Sequence, residues 1–121
     1  MRKRNDIRKR KEMEKLFEEQ LKKLKKHHFL ILYWSAEAEV GKVKYNITNV
    51  FDDLKAQGIT RTKQSAMSYI DVLEGLCFIE IKEERNRKNI YISEYGEVAL
   101  ERLVSDKLFK LEKSIYLGGT R

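Results

Sequence analysis

The sequence predicts a mainly α fold with a small β-hairpin, an α+β chain organised as one domain, and three observations predict it. Apolar residues recur three and four positions apart over most of the length, the period of helices buried on one side. The stretch EIKEERNRKNIYIS, from Glu80 to Ser93, instead alternates apolar and polar residues on both sides of a polar knot that carries three cations. A length of 121 residues with 41% hydrophobic content suits one compact core and leaves little for a second. The domain is therefore placed at 13–117, with a basic arm at 1–12 before it and a flexible tail at 118–121 after it.

The formal net charge of +7 is confined to the start of the chain. Residues 1–26 hold 12 Lys and Arg against 5 Asp and Glu, whereas residues 29–121 hold 14 of each. A neutral body with a cationic extension creates a local field suited to a polyanion, and nucleic acid is the commonest such partner. The arm MRKRNDIRKRK has almost no apolar residue and is expected to be disordered or weakly helical without a ligand. Its cations Arg2, Lys3, Arg4, Arg8, Lys9, Arg10 and Lys11 are candidate phosphate contacts.

From Met13 the pattern turns helical. Met13, Phe17, Leu21, Leu24, His28 and Ile31 form one stripe, and the apolar run from His27 to Trp34 carries this helix into the core until it ends near Gly41. Adjacent His27 and His28 point about 100° apart on a helix and do not make a metal pair. Val43, Tyr45 and Ile47 then alternate as in a short strand. Thr48 or Asn49 is expected to cap the next helix, whose positive end suits Asp52 and Asp53. Val50, Phe51 and Leu54 give that helix its buried side, and Gly58 stops it.

Ile59 plugs the turn that follows, and Thr60 or Thr62 caps a second helix over 62–76. Two short helices meeting at a tight, Gly-containing turn form a helix-turn-helix unit. Ala66, Met67, Ile70, Leu73 and Cys77 are expected to face the first helix, with the lone cysteine acting as a small buried hydrophobe. The outward face shows Arg61, Gln64, Ser65, Ser68 and Asp71, with Lys63 and Tyr69 at its margins. Small hydroxyl and amide groups let a helix sink into the major groove, where Gln and Arg make paired hydrogen bonds to base edges. Arg61, Thr62, Lys63, Gln64, Ser65, Ser68 and Tyr69 are thus the candidate DNA contacts of this helix; a merely solvated face is the alternative.

Strands near 78–82 and 89–93 are expected to enclose a loop over 83–88, with Val43 to Ile47 available as a third strand. Arg85, Asn86, Arg87 and Lys88 at the loop are candidate contacts to phosphates or the minor groove, although Glu83 and Glu84 stand beside them and repel phosphate. The order of helix, short strand, helix, turn, helix and hairpin resembles the winged helix-turn-helix fold over residues 28–104, the cationic loop taking the place of the wing. The segments VLEGLCFIEI, Val72 to Ile81, and YISEYGEVAL, Tyr91 to Leu100, carry the resemblance. Ser93 matches the family's cap after the wing strand and Gly96 its glycine in the following helix. The chain looks most like small regulators of the MarR and PadR kind found in bacteria, archaea and their viruses and plasmids. It departs from many of them at Cys77, where a glycine is usual.

Beyond the hairpin, Leu100, Val104, Leu108, Leu111 and Ile115 continue a helical stripe until Gly118 and Gly119. With Met13, Phe17, Leu21 and Leu24 this is more apolar surface than one small core covers. The resemblance implies the antiparallel seam of a homodimer, with pairing inside one chain as the alternative. There is no Gly-rich phosphate loop, Ser-His-Asp set or metal-ligand spacing, so no enzyme, metal, cofactor or small-molecule ligand is expected. No run reaches the roughly 18 apolar residues of a membrane span and no signal peptide precedes the arm, so a cytoplasmic location is expected. The resemblance and the basic arm together imply a sequence-specific double-stranded DNA-binding transcription regulator. The alternatives are a winged-helix protein-interaction module and a non-specific architectural DNA or RNA binder.

Overall fold

The computed structural model of the chain describes the backbone of residues 2–117 and the side chains of residues 7–117. The expected tail at 118–121 and the side chains of Arg2, Lys3 and Arg4 lie outside the described residues. The chain is mainly helical with one antiparallel hairpin: α1 (Arg2–Lys22), α2 (Lys26–Val40), α3 (Ile47–Ala56), α4 (Lys63–Gly75), β1 (Ile79–Glu84), β2 (Arg87–Ile92) and α5 (Glu94–Asp106). No helix among the described residues is long and apolar enough to cross a membrane.

The arm, expected to be disordered or weakly helical, is helical from Arg2. Lys, Arg and Glu, which make up much of α1, are strong helix formers. The single helix expected from Met13 to Gly41 is two. Between α1 and α2 the N–H groups of Lys23 and Leu24 donate to the carbonyls of Gln20 and Leu21 at 3.2 and 3.1 Å, a tightened last turn. The Lys25 N–H then donates to His28 Nδ1 at 3.0 Å and starts α2 afresh.

Helix α2 is apolar on nearly every side because it is central. Phe29, Leu30, Ile31, Leu32 and Trp34 are fully buried, and α4, β2 and α5 pack around them. Each large side chain buried in this way stabilises the fold by about 1.5–3 kcal/mol. Leu21 and Leu24 are buried in the same core, and Phe17 packs against Phe78 and Tyr95 with ring centroids 6.5 and 5.2 Å away. These three residues, expected at a seam between copies, are therefore satisfied within one chain.

Val43 to Ile47 makes no strand. It meets the hairpin at one bridge, Asn46 with Asn89, beside which the Ile90 N–H donates to the Tyr45 carbonyl at 2.8 Å. Asn46 ends the extended stretch because it caps α3. Its Oδ1 accepts from the Asn49 N–H at 2.9 Å while Asn49 Oδ1 accepts from the Asn46 N–H at 3.0 Å. Neither Thr48 nor Asn49 is the cap, and Asp52 and Asp53 fall beyond the first turn, out of reach of the helix's positive end. Asp53 has another role: it is buried and accepts from the Tyr45 hydroxyl, from Ser114 Oγ at 2.6 Å and from the Ile115 N–H at 2.7 Å.

Gly58, at φ 72°, closes α3, and Thr62 caps α4 by accepting from the Ser65 N–H at 3.1 Å. Ala66, Ile70 and Leu73 turn inward as expected. Met67 and Cys77 do not; both are exposed. Met67 lies about 100° round the helix from Ala66, off the face that the three buried residues define. Cys77 follows the end of α4 in the left-handed region at φ 65°, with the Cys77 and Phe78 N–H groups donating to the Glu74 and Leu73 carbonyls at 2.9 and 3.0 Å. That closure sends Phe78 into the core and the thiol outward.

The hairpin loop is shorter than the expected 83–88. Arg85 and Asn86 alone make the turn, at φ 51° and 64°, a type I′ geometry whose twist matches the strands on either side. The register runs from Ile79 opposite Ile92 to Glu84 opposite Arg87. Ser93 then caps α5, accepting from the Gly96 N–H at 2.9 Å and donating to the Cys77 carbonyl at 2.6 Å. Gly96 admits no side chain, since a Cβ would lie 2.0 Å from the Phe78 carbonyl oxygen.

The stripe through Leu108, Leu111 and Ile115 is not helical. Helix α5 stops at Asp106, Lys107 is left-handed at φ 53°, and the rest crosses α2 and α3 as an irregular segment. Phe109 packs on Phe29 at 5.4 Å, Trp34 Nε1 donates to the Glu112 carbonyl at 2.9 Å, and Asp53 takes the Ser114 and Ile115 donors. Buried polar groups on α2 and α3 need those partners, and a continuing helix would not supply them. Of the expected seam, Met13, Val104, Leu108, Leu111 and Ile115 are exposed and Leu100 is half-buried.

Candidate nucleic-acid interface

Four segments far apart in sequence border one groove of ≈ 680 Å³. They are the start of α3 (Asn46, Ile47, Thr48, Asn49), the first turns of α4 (Lys63, Met67), the hairpin tip (Asn86, Arg87, Lys88) and Tyr116. Lys63 Nζ donates to Thr48 Oγ1 at 3.2 Å and holds the two helix starts side by side. The lining carries three cations, three amides and no carboxylate. Both helices bring the positive ends of their dipoles to its edge, which adds to its attraction for anions.

Glu84, beside the hairpin tip, is bonded within the hairpin and keeps its negative charge next to these cations. It accepts from the Tyr91 hydroxyl and from Asn89 Nδ2 at 2.8 Å, with Lys44 Nζ 3.7 Å away. These partners, the Tyr91 hydroxyl foremost, hold its carboxyl below the usual range. Glu83 stands opposite Lys88 across the ladder. Tyr116 donates its hydroxyl to Asp52, and that bond, more than burial, raises the phenol above its ordinary range.

On α4 the exposed side is centred on Gln64, Ser68 and Asp71, one step round from Lys63 and Met67. Gln64 and Arg61 are exposed and make no hydrogen bond or ion pair among the described residues. The hydroxyls are differently placed from the expectation of free donors. Thr62 Oγ1 donates to Ser65 Oγ at 2.9 Å, and Ser68 Oγ donates to the Ser65 carbonyl at 2.7 Å. Ser65 and Tyr69 are half-buried, and the Tyr69 ring stacks on His27 with centroids 3.8 Å apart. Tyr69 thus belongs to the contact between α2 and α4 rather than to an open face.

The structure therefore brings Lys63, Asn86, Arg87 and Lys88 together in the groove. Gln64, Ser68 and Arg61 flank it, and Arg85 is exposed at the turn. Arg8, Lys9, Arg10 and Lys11 are exposed on α1, apart from the groove, in a stretch where every residue from 7 to 16 is exposed. Sequence reasoning missed Met67, whose spacing matches the core face, Tyr116, which sits in a stripe that reads as helix, and Thr48 and Asn49, which read as caps. No family model matches the chain, and no curated protein matches it.

Proposed function

We propose that the chain is a winged helix-turn-helix protein that binds double-stranded DNA in a sequence-specific way and acts as a transcription regulator. The single observation that carries this reading is the shared groove: the start of α4 and the hairpin tip, separated in sequence, present Lys63, Arg87 and Lys88 to one concave surface without a carboxylate. In this reading α4 enters the major groove by its N-terminal turns, with Gln64 aimed at base edges and Met67 at a thymine methyl. Asp71 and Glu74 keep the far end of α4 away from phosphate. The hairpin tip and the start of α3 grip the backbone, and Arg8 to Lys11 add affinity without reading sequence. Two copies, joined through the exposed apolar residues of α1 and the end of α5, present their α4 helices to an inverted repeat.

A second reading, a binder without sequence preference, is favoured by one observation: the hydroxyls of Thr62 and Ser68 are already bonded within α4 and its cap, which leaves Arg61, Gln64 and Asp71 as the polar side chains of that face with no hydrogen bond or ion pair among the described residues. Selection of duplexes from a random pool, followed by titration of the winner and its scrambled version, separates the two. A regulator enriches one motif and binds it at least about 10³-fold more tightly than the scrambled duplex. An architectural binder enriches none.

A further inference from the structure

We propose that the trough between α2 and α5 is the seat of residues 7–16 of α1 from a second copy of the chain, the two copies exchanging these helical arms. This rests on the two-copy part of the reading above and deepens it by naming the surface each arm lies against.

The arm has nothing to pack on in its own chain. Every residue from 7 to 16 is exposed, the apolar Ile7, Met13 and Leu16 among them. A helix shorter than about 12–15 residues is marginal in water when nothing covers it. Lys9, Met13 and Leu16 stand at i, i+4 and i+7 and share one face, whereas Arg8, Lys11 and Lys15 share the opposite one. The root of the arm is held on α5, where Glu18 pairs with Arg102 and the Tyr95 hydroxyl donates to Gln20 Oε1 at 2.8 Å. The trough lies on the far side of the same helix, at Leu100, Glu101 and Val104. A continuous helix held on one side of α5 does not reach the other, so the occupant comes from another copy.

The trough is the complementary surface. Two adjoining hollows of ≈ 500 and ≈ 390 Å³ share Ala36, Val40, Leu100 and Glu101. Val40 is 75% exposed and Val104 44%, apolar area that stays wet in a single copy. Glu37, Glu39, Glu97 and Glu101 rim the hollows, and no Lys or Arg lines them. Glu97 and Glu101 stand four residues apart on α5, a repulsive spacing, and burial followed by the Glu97 charge raises the Glu39 carboxyl above its usual range. Glu39, Glu97 and Glu101 have no ion pair among the described residues. Residues 7–16 bring five Lys and Arg against Glu12 and Glu14. A cationic helix with an apolar face thus meets an apolar trough with an anionic rim. Arg8 and Lys11, on the outer face, remain open to a duplex, which narrows the arm's phosphate contacts to that side.

The test exchanges charge between arm and trough and reads assembly by sedimentation at micromolar concentration. One variant carries Lys9→Glu with Arg10→Glu, the other Glu39→Lys with Glu101→Lys. A cation suits the C-terminal end of α2 and also suits a position four residues after Glu97, so the second variant keeps its helices. Each variant alone should dimerise at least about 100-fold more weakly than the unmodified chain, because like charges then face each other at both contacts of the dimer. Their equimolar mixture should sediment as a dimer, and so should one chain that carries all four substitutions, with helix content by circular dichroism unchanged throughout. Variants that still form homodimers as tightly as the unmodified chain, or a mixture that stays monomeric, overturn the seat while leaving duplex binding untouched. A monomeric unmodified chain overturns it as well. If the charge exchange behaves as expected but the unmodified chain enriches no duplex from a random pool, the seat stands and the duplex-binding reading fails.

Discussion

Lys63 of α4 reaches Thr48 of α3, its Nζ 3.2 Å from the threonine hydroxyl. Two helix starts that are far apart along the chain are thereby set at one edge of the groove, with Arg87 and Lys88 across from them. The Lys63 ammonium has donors to spare after this bond, because it carries three protons and the threonine takes one.

Removal of these cations should therefore read out as lost phosphate contacts. Lys63→Ala, Arg87→Ala and Lys88→Ala should each reduce the salt slope of duplex binding by about 0.9 and weaken selected and scrambled duplexes alike. Titrations at a series of salt concentrations check this; an unchanged slope for all three would place the phosphates elsewhere.

Backbone strain and close approach make opposite predictions at two positions. Cys77 is exposed at φ 65°, where a side chain is disfavoured, so Cys77→Gly should stabilise the fold by about 0.5–1 kcal/mol. At Gly96 a Cβ would meet the Phe78 carbonyl oxygen at 2.0 Å, so Gly96→Ala should destabilise by about 3 kcal/mol. Urea denaturation of the two variants measures both.

Much of the fold was legible because its signals are local. The period of Ala66, Ile70 and Leu73, a cap at Thr60 or Thr62 and the stop at Gly58 each depend on a few neighbouring residues, and the structure has the period, the cap at Thr62 and the stop; the Ser93–Gly96 start of α5, which the resemblance implied, is there too. The errors fall where a distant partner decides. Helix α1 breaks because His28 takes the Lys25 N–H, and the end of the chain leaves the helical path for Asp53 and Trp34. Asp53 shows the difference most clearly: beside Asp52 it reads as a dipole partner, yet its donors come from Tyr45 and from Ser114. The groove was half legible. Its basic tip and α4 residues are local patterns, whereas Met67 and Tyr116 enter it through tertiary placement.

Acid should loosen the start of α2. Burial, followed by the His27 and Lys25 charges, lowers the His28 pKa from 6.5 to about 4, and burial likewise lowers that of His27. A histidine held neutral in the folded chain takes up its proton more readily when unfolded. Its contribution to stability is therefore complete above pH 6.5 and is lost as pH falls through about 4. Denaturation midpoints should fall across that window. His28→Asn, which keeps an acceptor for the Lys25 N–H, should flatten the fall; an equally steep fall in the variant would assign it to other groups.

Assembly has its own check. Met13 is 70% exposed on α1 and Leu108 is 66% exposed past the end of α5. Sedimentation of the unmodified chain should give a dimer at micromolar concentration, and Met13→Glu together with Leu108→Glu should give a monomer of unchanged helix content. A monomeric unmodified chain would remove the symmetric dimer and the inverted-repeat site with it.

The most direct measurement is the effect of Gln64→Ala on two duplexes, the one selected from a random pool and its scrambled version. Gln64 is exposed near the start of α4, next to Lys63 on the groove. If α4 reads bases in a major groove, the substitution should cost about 1–3 kcal/mol on the selected duplex and almost nothing on the scrambled one. With two copies the selected site should be an inverted repeat whose halves lie about 34–36 Å apart. Equal losses on both duplexes, or none on either, would contradict sequence readout by α4.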